Sequence, residues 1–139
     1  MRRYLIVANQ TLAGEHLLAA VQELHEKGGT DFHVVVPATP PQDHAWTEGE
    51  ARAAALHRLN EGLARLQGVG IQASGDVGDA NPILAIEDAL QEGVFDGIII
   101  STLPPRLSKW LKLDLPHRAE AFGLPVIHVE GESEPAVRG

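Results

Sequence analysis

The run Phe95-Asp96-Gly97-Ile98-Ile99-Ile100-Ser101-Thr102-Leu103-Pro104-Pro105 restricts the fold more than any other part of the chain. Three consecutive isoleucines, opened by Asp-Gly and closed by two hydroxyl residues and then two prolines, read as a strand buried on both faces. Strands of that kind belong to parallel sheets with helices on each side. In open α/β sheets ligands settle outside the carboxyl ends of the strands, where the winding reverses. Ser101 and Thr102 therefore stand at a candidate site.

The rest of the chain alternates in the same sense. Tyr4-Leu5-Ile6-Val7-Ala8 is a short apolar run ended by Asn9, Gln10 and Thr11, which makes it a first buried strand. Leu17, Leu18, Val21 and Leu24 then recur at helical spacing until Gly28-Gly29 stops them. Phe32-His33-Val34-Val35-Val36 is a second strand, followed by a proline-rich loop from Pro37 to Asp43 and a long helix with Ala55, Leu59, Leu63 and Leu66 on its apolar face. Val69-Gly70-Ile71-Gln72-Ala73 is expected to be a weaker third strand, and Gly75-Asp76-Val77-Gly78-Asp79-Ala80 a turn-rich connection. Asn81-Pro82 opens the next helix, because asparagine caps and proline suits the first turn.

Beyond the isoleucine strand, residues 106 to 122 are expected to hold a turn or two of helix, a break near Asp114, and a second helix that Asp114 can cap and whose first turn tolerates Pro116. Gly123-Leu124-Pro125 leads to a last strand, Val126-Ile127-His128-Val129. Five strands alternating with helices, joined by right-handed crossovers, give an α/β fold: a single-domain three-layer sandwich around a parallel sheet. The domain is expected over residues 1–130, with 131–139 a loose tail.

Composition narrows the function. At 139 residues the chain suits one domain, and 44% apolar against 22% charged residues with no long apolar run argues against membrane insertion. The apolar stretch after Arg2 and Arg3 is too short for an export signal, so a cytoplasmic location is expected. A formal charge of −8 without a basic cluster disfavours nucleic acid, the local exception being Arg106, Lys109 and Lys112. Without cysteine there is no thiol catalysis and no cysteine-ligated metal. The seven histidines form none of the spacings HxH, HxxxH or HExxH, and no Gly-x-Ser-x-Gly elbow, Walker or dinucleotide fingerprint occurs. No metal site and no nucleophilic triad is expected.

The residue order resembles that of the universal stress proteins, small UspA-like α/β domains related to other adenine-nucleotide-binding folds. The likeness runs from Tyr4 to about Val129. It is most specific in Gly75-Asp76-Val77-Gly78-Asp79 leading to Asn81-Pro82-Ile83, then Ala89, the strand opened by Asp96, and Leu124-Pro125-Val126-Ile127-His128-Val129. The resemblance implies a HUP-type fold (adenine nucleotide alpha hydrolase-like) with strand order 3-2-1-4-5. It also implies an adenine nucleoside or nucleotide, AMP or ATP, as the ligand class, and a homodimer paired through Val126-Val129.

Nucleotide-binding members carry Gly-x2-Gly-x9-Gly-Ser/Thr after the fourth strand, where glycine admits phosphates to the backbone N–H groups. Laid on this chain the pattern falls on Ser101, Pro104, Asp114 and Leu115, so every glycine is missing. Pro104 removes a donor and Asp114 puts a carboxylate where a phosphate oxygen would lie. The chain thus resembles the members that do not bind ATP.

The family's aspartate after the first strand corresponds here to Asn9 or Gln10, either of which can hydrogen-bond adenine or ribose. The candidate ligand-binding set is Asn9, Gln10, Thr11, Val36, Ser101, Thr102, Arg106, Lys109, Asp114 and His117. Plainer roles stand beside these: strand-end polar residues reaching water, hydroxyls bonded to their own loop, and solvated surface cations. Trp110 can close over the pocket, support a dimer contact, or pack in the core. The expected function is non-catalytic binding of a small ligand or nucleoside with ATP binding impaired or lost. The alternatives are a hydrolase or transferase using Asp114 or His117 as acid or base, and an interaction module docking a partner near Trp110.

Overall fold

The computed structural model describes residues 2–40 and 45–131. The end of the proline-rich loop and residues 132–139 of the expected tail lie outside the described residues.

Apolar runs bounded by turn residues become the strands β1 (Arg2–Val7), β2 (Thr30–Pro37), β4 (Gly97–Thr102) and β5 (Val126–Glu130). With β3 (Ala73–Gly78) they form an all-parallel five-stranded sheet in the order β3-β2-β1-β4-β5. The helices are α1 (Glu15–Glu26), α2 (Glu48–Gly68), α3 (Pro82–Glu92), α4 (Lys109–Lys112) and α5 (Leu115–Ala119), the last running into a 3-10 turn at Glu120–Phe122.

The two faces of the sheet bury separate cores. On one, Ile6, Val34 and Ile99 pack with Leu17 and Val21 of α1 and Ala55, Leu59 and Leu66 of α2. On the other, Leu5, Ile98 and Ile100 pack with Ala85 and Ile86 of α3, Trp110 of α4 and Leu115 and Ala119 of α5. All of Ile98, Ile99 and Ile100 are fully buried, and each such side chain stabilises the fold by about 1.5–3 kcal/mol relative to exposure. The start of β4 is fixed by a reciprocal clasp: the Asp96 carboxylate accepts from the Arg3 N–H at 2.8 Å, while the Asp96 N–H donates to the Arg3 carbonyl at 2.7 Å. Helix starts are chemically marked. Thr47 and Glu50 form a reciprocal capping box at α2, and Asn81 Oδ1 accepts from the Ile83 N–H at 2.9 Å at α3.

The third strand departs from expectation. Residues 69–72 carry no strand; Ile71 is instead an anchor of the α1/α2 core, 1% exposed, at the turn out of α2. The strand runs instead over Ala73–Gly78, taking in Gly75 to Gly78 of the expected turn-rich connection, and pairs along β2 from Phe32↔Ala73 to Pro37↔Gly78. Tertiary pairing overrides poor strand propensity here. Gly75 is required by space: a Cβ there would stand 2.6 Å from Leu59 Cδ1 and 2.9 Å from the Val34 carbonyl oxygen.

The helical breaks at the other end do follow expectation. Two short helices, α4 and α5, meet at Asp114. Asp114 occupies the N-cap position with φ 58°, the left-handed region, and its side chain makes no cap bond. It bonds His117 Nδ1 at 3.1 Å instead.

Candidate functional site

Winding reverses between β1 and β4, since β2 and β3 extend the sheet one way and β4 and β5 the other. Above that point lies a small cavity of about 40 Å³ that opens to solvent. Asn9, Gln10 and Thr11 reach it from the end of β1, Thr39 and Pro40 from the end of β2, Ser101, Thr102 and Leu103 from β4, and Leu107, Ser108, Lys109 and Trp110 from the following loop and α4. Larger open grooves, about 420 and 510 Å³, flank β3. They lie at the sheet edge, away from the convergent strand ends.

The floor is made of hydroxyls. Thr11 and Ser101, 2% and 1% exposed, share a short hydrogen bond across β1 and β4. Thr102, on the opposite face of β4, bonds His128 Nε2 of β5 at 2.8 Å. The alternation of strand side chains explains why adjacent hydroxyls serve different partners.

Asn9 is fully engaged. Its Nδ2 donates to the Pro37 carbonyl at 2.8 Å and the Thr39 carbonyl at 3.3 Å, and its Oδ1 accepts from Arg58 at 2.8 Å. With both amide donors spent on backbone carbonyls, Asn9 braces the loop. Gln10 is half-buried at the cavity wall, and its side chain has no partner among the described residues. Of the two candidate amides, Gln10 is the one free to meet a ligand.

The far wall is Trp110, 6% exposed, packed into the α3/α5 core while its indole N–H donates to Thr39 Oγ1 at 3.2 Å. It is a core residue and a cavity wall together. Beside it the Lys109 ammonium donates to the Pro40 carbonyl at 2.9 Å.

The structure thus gathers Asn9, Gln10, Thr11, Ser101, Thr102 and Lys109 around one cavity. The remaining candidates stand elsewhere. Val36 is fully buried in the core against α1 and α2. Arg106 is exposed outside the lining. Asp114 and His117 form a solvated pair, 69% and 76% exposed in their side chains, also outside the lining. Among the described residues no group of three or more His, Asp or Glu converges as metal ligands would, and no helix is long and apolar enough to cross a membrane.

Three features of the wall were not foreseen from the sequence: the Thr39-Pro40 segment, the Ser108 cap, and Arg58 behind Asn9. Ser108 carried a local signal, because its Oγ accepts from the Leu111 N–H at 3.1 Å as an N-cap serine does. That bond also removes a donor at the start of α4 that could otherwise meet an anion. Pro116 supplies no N–H in the first turn of α5, and Asp114 stands before it.

No protein-family model matches the chain, and no curated protein matches it significantly.

Proposed function

We propose that the cavity over β1 and β4 marks the binding site of a non-catalytic, universal stress protein-like domain, and that the site takes a small ligand or nucleoside rather than a triphosphate. The observation that carries this reading is the pairing of a small, solvent-open cavity at the switch point with a continuation poor in phosphate-binding N–H groups. Gln10, the Thr11–Ser101 hydroxyls and the Trp110 ring offer an amide, hydroxyls and an aromatic wall to a ligand with a planar base and a sugar. The segment after β4 offers Pro104, which has no N–H, and the self-capped start of α4 where phosphates would need N–H groups. The strand order agrees with that of the family.

The same reading puts the protein in the cytoplasm and pairs two copies through β5. Among the described residues that edge strand has no outer neighbour in the sheet, and it carries Ile127 at 36% exposure.

Melting temperatures measured with adenosine, AMP, ADP and ATP test the site. At tenfold excess over Kd, a ligand that binds only the folded state adds about 1.4 kcal/mol, roughly 4–6 °C for a domain of this size. Adenosine should give the rise, and each added phosphate should shrink it. A larger rise with ATP than with adenosine contradicts the reading; so does silence from all four.

A further inference from the structure

Arg58 projects from the middle of α2, a helix whose charges otherwise look like a solvated face, yet its guanidinium donates to Asn9 Oδ1 at 2.8 Å. The bond fixes which way the Asn9 amide points. With the oxygen held by Arg58, the NH2 group faces the Pro37 and Thr39 carbonyls, at 2.8 and 3.3 Å. Those carbonyls belong to the segment that Trp110 and Lys109 grip from the other side, through Thr39 Oγ1 at 3.2 Å and the Pro40 carbonyl at 2.9 Å. Thr39 Oγ1 also donates to the Ala80 carbonyl, so one hydroxyl links the indole to the turn before α3. We infer that Arg58 is a positioning residue for the cavity: acting through Asn9 and the Thr39-Pro40 segment, it sets the position of Trp110 and with it the width of the mouth.

The chemistry accounts for asparagine at position 9. An aspartate would keep the attraction to Arg58 but turn an acceptor oxygen toward two carbonyl oxygens, replacing two hydrogen bonds by repulsion. Only a carboxamide accepts from a guanidinium on one side while donating to two carbonyls on the other. Connected hydrogen bonds of this kind are expected to be coupled, so loss of any one link should be felt at the next.

The inference rests on the proposed binding site for its functional meaning, but its test uses no ligand and can fail independently. In a Trp46→Phe background Trp110 is the sole tryptophan, because the chain has two. Acrylamide quenching of its fluorescence at 25 °C then reports how well the wall is held. Arg58→Met, which keeps the apolar stem, should raise the quenching constant roughly twofold or more, and Asn9→Asp by a similar factor. Arg58→Lys, with a donor in place, should restore most of the protection, and Arg65→Met on the same helix should change nothing. The double variant Arg58→Met/Asn9→Asp should be no worse than either single one.

A purely structural Arg58 would lower the melting temperature while leaving native-state quenching of Trp110 unchanged, and that result overturns the inference. Additive effects of the two substitutions also overturn it. If Arg58→Met does not fold, Asn9→Asp and Thr39→Val must still raise quenching; protection retained in both refutes the relay.

Discussion

Trp110→Ala is expected to lower the unfolding free energy by about 3–5 kcal/mol, the range for deleting a large aromatic side chain from a core. The indole is 6% exposed and packs with residues of α3, α5 and β4 on one side, while the other side walls the cavity. Alanine leaves a void continuous with a site already open to water, so part of the loss is relieved by hydration and the lower half of the range is favoured. Urea unfolding followed by far-UV circular dichroism gives the number, with the m-value checking that the unfolded state is unchanged. Trp110→Phe separates the two roles. It retains most of the buried area but loses the bond to Thr39 Oγ1 and part of the ring volume, so it should cost about 1–2 kcal/mol, less than alanine. A loss below about 1 kcal/mol for alanine would mean that the wall is not packed as described.

Gly75→Val should destabilise by about 3 kcal/mol, the upper part of the usual range for overpacking. One contact of the added Cβ, Leu59 Cδ1 at 2.6 Å, can be relieved by a rotamer change; the other, the Val34 carbonyl oxygen at 2.9 Å, belongs to the paired backbone of β2 and cannot move without disturbing that ladder. β-propensity alone predicts the opposite sign, because valine is a better strand former than glycine. A suitable control is Gly49→Ala in the first turn of α2, where a Cβ meets nothing within 4 Å; it should be neutral or stabilising by up to about 1 kcal/mol. Chemical denaturation of both variants decides. A stabilised Gly75→Val would place residues 73–78 in the turn that their composition suggests.

These two positions also mark where the sequence was legible. Four strands announced themselves because each is a continuous apolar run closed by polar or turn residues, and a run buried on both faces needs no periodicity to be recognised. The third was displaced by several residues: Ile71 is apolar for the sake of the core between α1 and α2, while the true strand is built of Gly, Ser and Asp at an edge. Its pairing is dictated by β2 and by the space left under Leu59, neither of which is local.

The site divides the same way. Residues at the ends of β1 and β4 follow from the rule that ligands gather at the carboxyl ends of parallel strands. Thr39, Pro40 and Arg58 do not, since their roles depend on contacts with Trp110, Lys109 and Asn9 across 49 to 71 positions of chain. The start of α5 at Asp114 was legible from the Asp-Leu-Pro sequence. That its carboxylate would turn to His117 and leave the helix N–H groups alone was not.

A parallel sheet of order β3-β2-β1-β4-β5 is present, and the proposed function adds that its site takes a small ligand or nucleoside while the backbone after β4 does not hold a triphosphate. Amide chemical shifts of the 15N-labelled protein, titrated with adenosine and with Mg-ATP, test it most directly. Gln10, Thr11, Ser101 and the Trp110 indole should move with adenosine, and ATP should add no displacement at residues 103–116. Magnesium-dependent, ATP-specific shifts concentrated on that segment, and stronger binding of ATP than of adenosine, would contradict the account.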